Sequence, residues 1–183
     1  ALGGPVTVTG LDPESLQKDR LILPLLARFG ARVTAGEGEV TVSGGELCGQ
    51  EIDASDIPDL VPALAAVAAH ARGETRITGA GRLRLKESDR LATVAAMLEG
   101  IGARARILPD GLAIAGRGAL PHPGGRVSSA GDHRIAMAGA IAALGCGGPT
   151  VIEGAGAVDK SYPVFYEHLK LLGGSAHVVH LRG

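Results

Sequence analysis

The sequence predicts an α/β (α+β) domain of three β-α-β-α-β-β units packed about a pseudo-threefold axis, and two internal repeats carry the prediction. Gly30-Ala31-Arg32-Val33, Gly102-Ala103-Arg104-Ala105 and Gly174-Ser175-Ala176-His177 recur at intervals of 72 residues. Each closes a leucine-rich amphipathic stretch ahead of an alternating, strand-like one, with glycine where a helix C′ residue is expected. In a second phase, Thr75-Arg76-Ile77-Thr78-Gly79-Ala80-Gly81 returns 75 residues later as Thr150-Val151-Ile152-Glu153-Gly154-Ala155-Gly156, and both runs lead to a lysine, Lys86 and Lys160. A period of this kind marks a repeated supersecondary unit. Units so small cannot bury both faces of their own sheet, so packing about a common axis with some helices central satisfies them together.

In chain order, Val6-Thr7-Val8-Thr9-Gly10 runs through Lys18-Asp19-Arg20 into its helix much as Lys86 to Arg90 leads into a later one. Apolar residues at helical spacing predict helices over Gln17–Phe29, Pro58–Ala71, Ser88–Ile101, Arg134–Leu144 and Pro163–Leu172. Glu39–Ser43, Leu112–Ala115 and Thr150–Glu153 are short and alternating or β-branched, which favours strands. One domain over 1–183 is expected, its units dividing at roughly 1–50, 51–125 and 126–183. The alanine-rich helices, with Ala63, Ala65, Ala66, Ala68 and Ala69 in one and Ala136, Ala138, Ala140, Ala142 and Ala143 in another, suit a crowded central position.

Composition narrows the function. With 183 residues, 45% hydrophobic and 20% charged, the chain is ordinary globular material rather than a tail or linker. Only four aromatics (Phe29, Tyr162, Phe165, Tyr166) accompany 29 glycines, so the core must come from Ala, Leu, Ile and Val. Stacking platforms for bases are lacking, and Lys plus Arg (18) nearly cancels Asp plus Glu (19). Neither nucleic acid nor an anionic membrane is therefore an expected partner, and any anion site must be local. No apolar run approaches the roughly 20 residues of a membrane span, and Ala1 to Pro5 has no leader-like pattern. A soluble cytoplasmic protein is expected, with Cys48 and Cys146 as two reduced core thiols and a disulfide as the other option. The missing initiating Met points to a mature or excised product.

The informative charges sit at helix starts. Lys86-Glu87-Ser88-Asp89-Arg90, Gly131-Asp132-His133-Arg134 and Lys160-Ser161-Tyr162-Pro163 each open a predicted helix with cations. Such cations are unfavourable beside the positive end of the helix dipole unless an anion compensates. If the three ends converge, they form a cationic patch flanked by free backbone N–H groups, suited to phosphate or carboxylate. Taken singly, each cluster also reads as solvated surface, with Glu87, Asp89 and Glu99 as ordinary partners. Asp132 reads as an N-cap, His133 as a packing or supporting histidine, and Asp59 as a carboxylate electrostatically at home in a first helical turn. His70, His122, His168, His177 and His180 have no metal-ligand spacing, so no metal is expected.

Three motifs together, Leu83-Arg84-Leu85-Lys86-Glu87-Ser88-Asp89-Arg90, Gly131-Asp132-His133-Arg134-Ile135-Ala136-Met137-Ala138 and Asp159-Lys160-Ser161-Tyr162-Pro163, preceded by Asp56-Ile57-Pro58-Asp59, resemble the 3-phosphoshikimate 1-carboxyvinyltransferase (EPSP synthase) family. The resemblance covers essentially the whole chain and one half of the enolpyruvyl transferase fold, its C-terminal part. It implies transfer of enolpyruvyl from phosphoenolpyruvate to the 5-hydroxyl of shikimate 3-phosphate, with release of phosphate and without metal or organic cofactor. Arg90, Arg134 and Lys160 match residues that grip phosphoenolpyruvate. Asp59 and Lys86 match residues at the shikimate 3-phosphate hydroxyl, Asp59 as the candidate base, while Glu87 matches a candidate proton carrier. Glu87 and Lys160 both stay open as the acid. Arg82 stands where some members place an asparagine, and no role transfers to it. The complementary N-terminal domain of the same enzyme is the implied partner, without which the chain is expected to be inactive. A fragment of the sister enzyme acting on UDP-N-acetylglucosamine, and a non-catalytic anion-binding module, are the other readings.

Overall fold

Helices end where the sequence places left-handed glycine. A computed structural model describes residues 4–86 and 88–179. In it α1 (Ile22–Phe29) stops at Gly30 with φ 110° and α3 (Arg90–Gly100) is followed by Gly102 at φ 83°. At both ends the same pair of bonds closes the helix: Gly30 N–H to Ala27 O with Ala31 N–H to Leu26 O, and Gly102 N–H to Glu99 O with Ala103 N–H to Leu98 O. The third helix, α5 (Phe165–Leu171), uses Gly173 at φ 90° in that role, not the expected Gly174, whose N–H takes the second bond instead.

The remaining elements are β1 (Val6–Thr9), β2 (Arg32–Gly36), β3 (Glu39–Ser43), β4 (Glu51–Asp53), α2 (Val61–Ala69), β5 (Arg72–Thr78), β6 (Arg104–Leu108), β7 (Gly111–Arg117), β8 (Gly125–Ser128), α4 (His133–Ala143) and β9 (Thr150–Glu153). Short 3-10 turns at Lys18–Leu21, Pro58–Leu60, Gly81–Leu85 and Ala155–Lys160 lead toward α1, α2, α3 and α5. The helix expected over Gln17–Phe29 is thus a 3-10 turn followed by α1, and the one expected over Pro163–Leu172 shrinks to Phe165–Leu171. Pro24 and Pro62 fall in first turns, where their missing N–H breaks no intrahelical bond.

Strands pair into three sheets, ordered β1-β3-β2, β4-β5-β7-β6 and β8-β9. Their registers repeat the sequence periods. The antiparallel pairing Arg32↔Ser43 through Gly36↔Glu39 reappears as Arg104↔Ala115 through Leu108↔Gly111, with both strands displaced by 72. The parallel pairing Glu51↔Arg76, Ile52↔Ile77 and Asp53↔Thr78 reappears as Arg126↔Val151, Val127↔Ile152 and Ser128↔Glu153, displaced by 75. Because a one-residue slip would turn every apolar side chain to the wrong face, the buried pattern locks each register.

α2, α3 and α4 pack against one another beneath these sheets. α2 buries Val61, Pro62, Leu64, Ala65, Ala66, Ala68 and Ala69, and α4 buries Ile135, Ala136, Ala138, Gly139, Ala140 and Ala142, so the alanine-rich helices do occupy the crowded interior. Small side chains permit the close approach: a Cβ on Gly139 would lie 3.2 Å from Val127 Cγ1. Larger residues fill the flanks, with Phe29, Leu64, Ile77, Leu91, Met97, Leu98 and Ile114 fully buried. Each such side chain contributes about 1.5–3 kcal/mol through burial. Cys48 and Cys146 are free thiols, half-buried rather than deep in the core.

Candidate anion site at three helix starts

The packing of α2, α3 and α4 brings the segments that precede them together at one end. Asp59 sits in the 3-10 turn before α2, Arg90 is the first residue of α3, and Asp132 and Arg134 flank the start of α4. Arg90 Nη1 donates to Asp59 Oδ1 at 2.7 Å, while its Nε donates to Asp132 Oδ2 at 2.7 Å. Lys86 Nζ lies 3.3 Å from Asp59 Oδ1. Arg134 Nη2 reaches Asp59 Oδ2 at 3.4 Å and its Nη1 reaches the Asp59 carbonyl at 3.3 Å. Lys160 Nζ donates to the carbonyl of Gly131 at 2.9 Å, beside the α4 cap. Asp59, Lys86, Arg90 and Arg134 therefore meet directly, and Lys160 joins them through the loop before Asp132. Glu87 lies outside the described residues.

Burial differs sharply across this group and sets its chemistry. The Arg90 side chain is 3% exposed and Asp132 is fully enclosed, whereas Asp59, Lys86 and Arg134 remain about one-third open. Arg90 is thus a rigid post held between two carboxylates, and Lys86 and Arg134 are cations with a free approach from solvent. Burial pushes the Asp59 carboxyl upward, but Arg134, Lys86 and Arg90 outweigh it and hold the group below the usual carboxylate range. At Asp132, burial again pushes upward, and the Arg90 bond, the Arg134 N–H and Ser88 overcome it. Both carboxylates are ionised at neutral pH. Among the described residues that meet here, the four cations Lys86, Arg90, Arg134 and Lys160 outnumber the two carboxylates Asp59 and Asp132.

Two expectations need correction. At the starts of α3 and α4, backbone N–H groups are already taken by aspartates: Asp89 Oδ1 accepts from Leu91 N–H and Ala92 N–H, and Asp132 Oδ1 accepts from Arg134 N–H. The aspartates meet the dipoles, so an anion here would be held by side-chain cations. Second, Lys86 and Lys160 do not lie in helical first turns. Lys86 follows the 3-10 turn Gly81–Leu85, and Lys160 ends the turn Ala155–Lys160, five residues before α5 begins. Asp132 caps α4 as expected, yet its second oxygen also fixes Arg90, with Ser88 Oγ donating to the same oxygen at 3.3 Å. Neither the role of Ser88 nor this double use of Asp132 follows from the sequence, because both depend on which donors lie beside the enclosed carboxylate.

Two grooves of about 580 and 470 Å³ lie elsewhere, lined by neither Asp59 nor its cations. Among the described residues no group of His, Cys, Asp and Glu could hold a metal ion, and no helix is long and apolar enough to cross a membrane.

Comparison with known proteins agrees with the motifs. The family model described as EPSP synthase (3-phosphoshikimate 1-carboxyvinyltransferase) matches residues 1–169. A 3-phosphoshikimate 1-carboxyvinyltransferase of Clostridium kluyveri is 47% identical over 174 residues, covering 95% of this chain and 40% of the relative. One of Thermococcus kodakarensis is 47% identical over 172 residues, covering 94% and 42%. Among solved structures, an EPSP synthase from Acinetobacter baumannii superposes with a TM-score of 0.81 at 31% identity, covering 92% of this chain and 42% of that one. The enolpyruvyl transferase NikO from Streptomyces tendae gives 0.74 at 28% identity, covering 94% and 39%. The chain spans about two-fifths of the length of the relatives it matches.

Proposed function

Because the chain belongs to the EPSP synthase family, we propose that it forms one wall of a cleft in which enolpyruvyl passes from phosphoenolpyruvate to the 5-hydroxyl of shikimate 3-phosphate. The observation that carries this reading is the Asp59 carboxylate held by Arg90, Arg134 and Lys86 at one spot. Arg90, Arg134 and Lys160 hold the phosphate and carboxylate of phosphoenolpyruvate, groups that guanidinium grips in bidentate fashion. Asp59 and Lys86 stand at the hydroxyl of shikimate 3-phosphate. The half-buried free thiols suit a reducing, cytoplasmic setting.

The geometry suggests how Asp59 acts as a base although its proton affinity is low. Asp59 engages cations that an incoming anion would claim. Arg134 makes the longest of its contacts, 3.4 Å, and is open to solvent. When Arg134 turns to the substrate, Asp59 loses part of the positive field that holds its pKa down and becomes more basic. It then takes the hydroxyl proton as that oxygen bonds to C2 of phosphoenolpyruvate, while a proton is added at C3 from Glu87 or Lys160. The tetrahedral adduct collapses as the now deprotonated Glu87 or Lys160 takes a proton from C3, the C–H electron pair restores the C2–C3 double bond, and phosphate leaves C2. Lys86 steadies the attacking oxygen. Attack geometry requires both walls of the cleft, so this chain alone is expected to be inactive.

The test is complementation. The chain is mixed with the missing portion of the Clostridium kluyveri relative, and phosphate release is followed. Release that requires both phosphoenolpyruvate and shikimate 3-phosphate supports the reading, and Arg134→Ala should lower kcat/KM by about 10²–10³-fold. Release that instead depends on UDP-N-acetylglucosamine, or none with any acceptor, would sink it.

A further inference from the structure

We propose that Ser129 is a positioning residue for the transfer reaction: its enclosed hydroxyl joins the loop before α4 to the turn that ends on Lys160, and so fixes the Lys160 ammonium relative to Arg134. The proposal rests on the reading that Lys160 and Arg134 grip phosphoenolpyruvate. It adds a residue that carries no charge and has almost no opening to solvent.

The Ser129 hydroxyl works in both directions. Oγ donates to the carbonyl of Gly154 at 2.9 Å and accepts the Gly131 N–H at 3.2 Å. Gly154 precedes the 3-10 turn Ala155–Lys160, and its carbonyl also takes the Ala157 N–H at 3.0 Å. Lys160 returns to the same loop, since its Nζ donates to the Gly131 carbonyl at 2.9 Å. Gly154, Ser129, Gly131 and Lys160 thus form a closed circuit, in which Gly131 is held at both its N–H and its carbonyl. Between Ser129 and Gly131, Ala130 has φ 51°, a backbone conformation that residues with a side chain rarely adopt. Such a conformation persists only where surrounding bonds hold it, and the Ser129 hydroxyl supplies one of them.

The internal repeat separates what the fold needs from what the site needs. Ser129 lies 75 residues after Ala54, which is fully buried. The backbone bonds of the two positions coincide: Ala54 N–H to Thr78 O and Ile57 N–H to Ala54 O recur as Ser129 N–H to Glu153 O and Asp132 N–H to Ser129 O. The glycine after the paired strand recurs too, Gly79 at φ 68° and Gly154 at φ 69°. The fold therefore closes this turn with a methyl group at that position, and the hydroxyl of Ser129 is an addition. In the second unit the residue equivalent to Lys160 is Leu85, which likewise ends its 3-10 turn and is 88% exposed. Hydroxyl and lysine occur together in the third unit, and both are missing from the second. A buried hydroxyl that the turn does not require, bonded to the loop that holds the lysine, sets the place of the lysine.

The experiment compares Ser129→Ala with Ser129→Thr in the chain complemented by the missing portion of the Clostridium kluyveri relative. Ser129→Ala should raise KM for phosphoenolpyruvate about tenfold and leave KM for shikimate 3-phosphate within about twofold. Ser129→Thr, which keeps the hydroxyl, should bring the first constant back to within about threefold of the unsubstituted value. In the chain by itself, amide hydrogen exchange at Gly131 should quicken about tenfold in Ser129→Ala and slow again in Ser129→Thr. A merely structural loss would move both KM values together, and that result would overturn the proposal. An unchanged KM for phosphoenolpyruvate, a threonine variant no better than alanine, or unaltered Gly131 exchange would overturn it as well. Absence of phosphate release from the unsubstituted mixture would instead sink the transfer reading on which the proposal rests, a failure recognisable before any substitution is made.

Discussion

Asp132 serves three groups with two oxygens. One oxygen caps α4 through the Arg134 N–H, and the other receives Arg90 Nε and Ser88 Oγ. Removing it leaves the Arg90 guanidinium enclosed with one partner lost, which costs about 3–5 kcal/mol for a broken buried pair, with about 1 kcal/mol more for the lost cap. Asp132→Ala is therefore expected to lower stability by about 5 kcal/mol, read from urea midpoints at constant m. The contrast is Asp56→Ala. Asp56 pairs with Lys18 at 2.6 Å, but their side chains are 73% and 61% exposed, so the loss should stay below about 1 kcal/mol. Similar losses from the two substitutions would show that enclosure is not what gives the Arg90 network its weight. The same distinction sets how each cation can meet an anion. Arg134 and Lys86 can swing toward a ligand, whereas Arg90, anchored on Asp132, must meet it from a fixed position.

At the scale of elements, the glycines after α3 and α5 share a left-handed conformation but not their surroundings. A Cβ on Gly102 would lie 2.5 Å from Pro123 Cγ, whereas one on Gly173 would meet nothing within 4 Å. Gly173→Ala should cost only the left-handed strain, about 1–2 kcal/mol. Gly102→Ala adds overpacking against a ring with no room to retreat, for a total of about 3 kcal/mol or more. Thermal unfolding of the two variants checks the difference, and equal losses would mean the 121–124 segment yields freely. These helix ends were legible in the sequence because glycine and leucine spacing is local. β4 and β8 were not, since three residues, or four opening on Gly125, carry no alternation to detect. The site divides along the same line. The cations and the Asp132 cap could be read from their motifs, but the Asp89 cap and the second bond of Asp132 to Arg90 required knowing which donors lay within reach. Gly173 replaced Gly174 for a like reason, since the third copy ends one residue earlier than the 72-residue period implies.

For the whole molecule, three buried or half-buried groups make stability depend on pH in one direction. His70 and His122 meet edge to face with ring centroids 5.2 Å apart. Each Nε2 faces a carbonyl, Ala142 O or Ala69 O, at 2.8 Å, so each must carry its proton there as donor. Burial holds His70 below its ordinary value of 6.5, the Ala142 bond opposes this, and His122 adds to the depression. A histidine depressed in the folded state resists a proton that the unfolded chain accepts. Its contribution is complete above about pH 6.5 and is lost as pH falls from there through the folded value. Asp59 and Asp132, also depressed, contribute above their unfolded value near 3.8 and lose that contribution as pH falls through their folded values. Acidification should therefore destabilise the protein in two stages, one beginning near pH 6.5 and one below about pH 4. His70→Gln, which keeps an amide donor near Ala142 O, should remove the histidine's share of the upper stage and leave the lower one intact. Urea midpoints from pH 8 to pH 3 decide the matter: an upper stage of undiminished size in His70→Gln would mean that this histidine titrates alike folded and unfolded, and that the α2–α4 contact senses no acid.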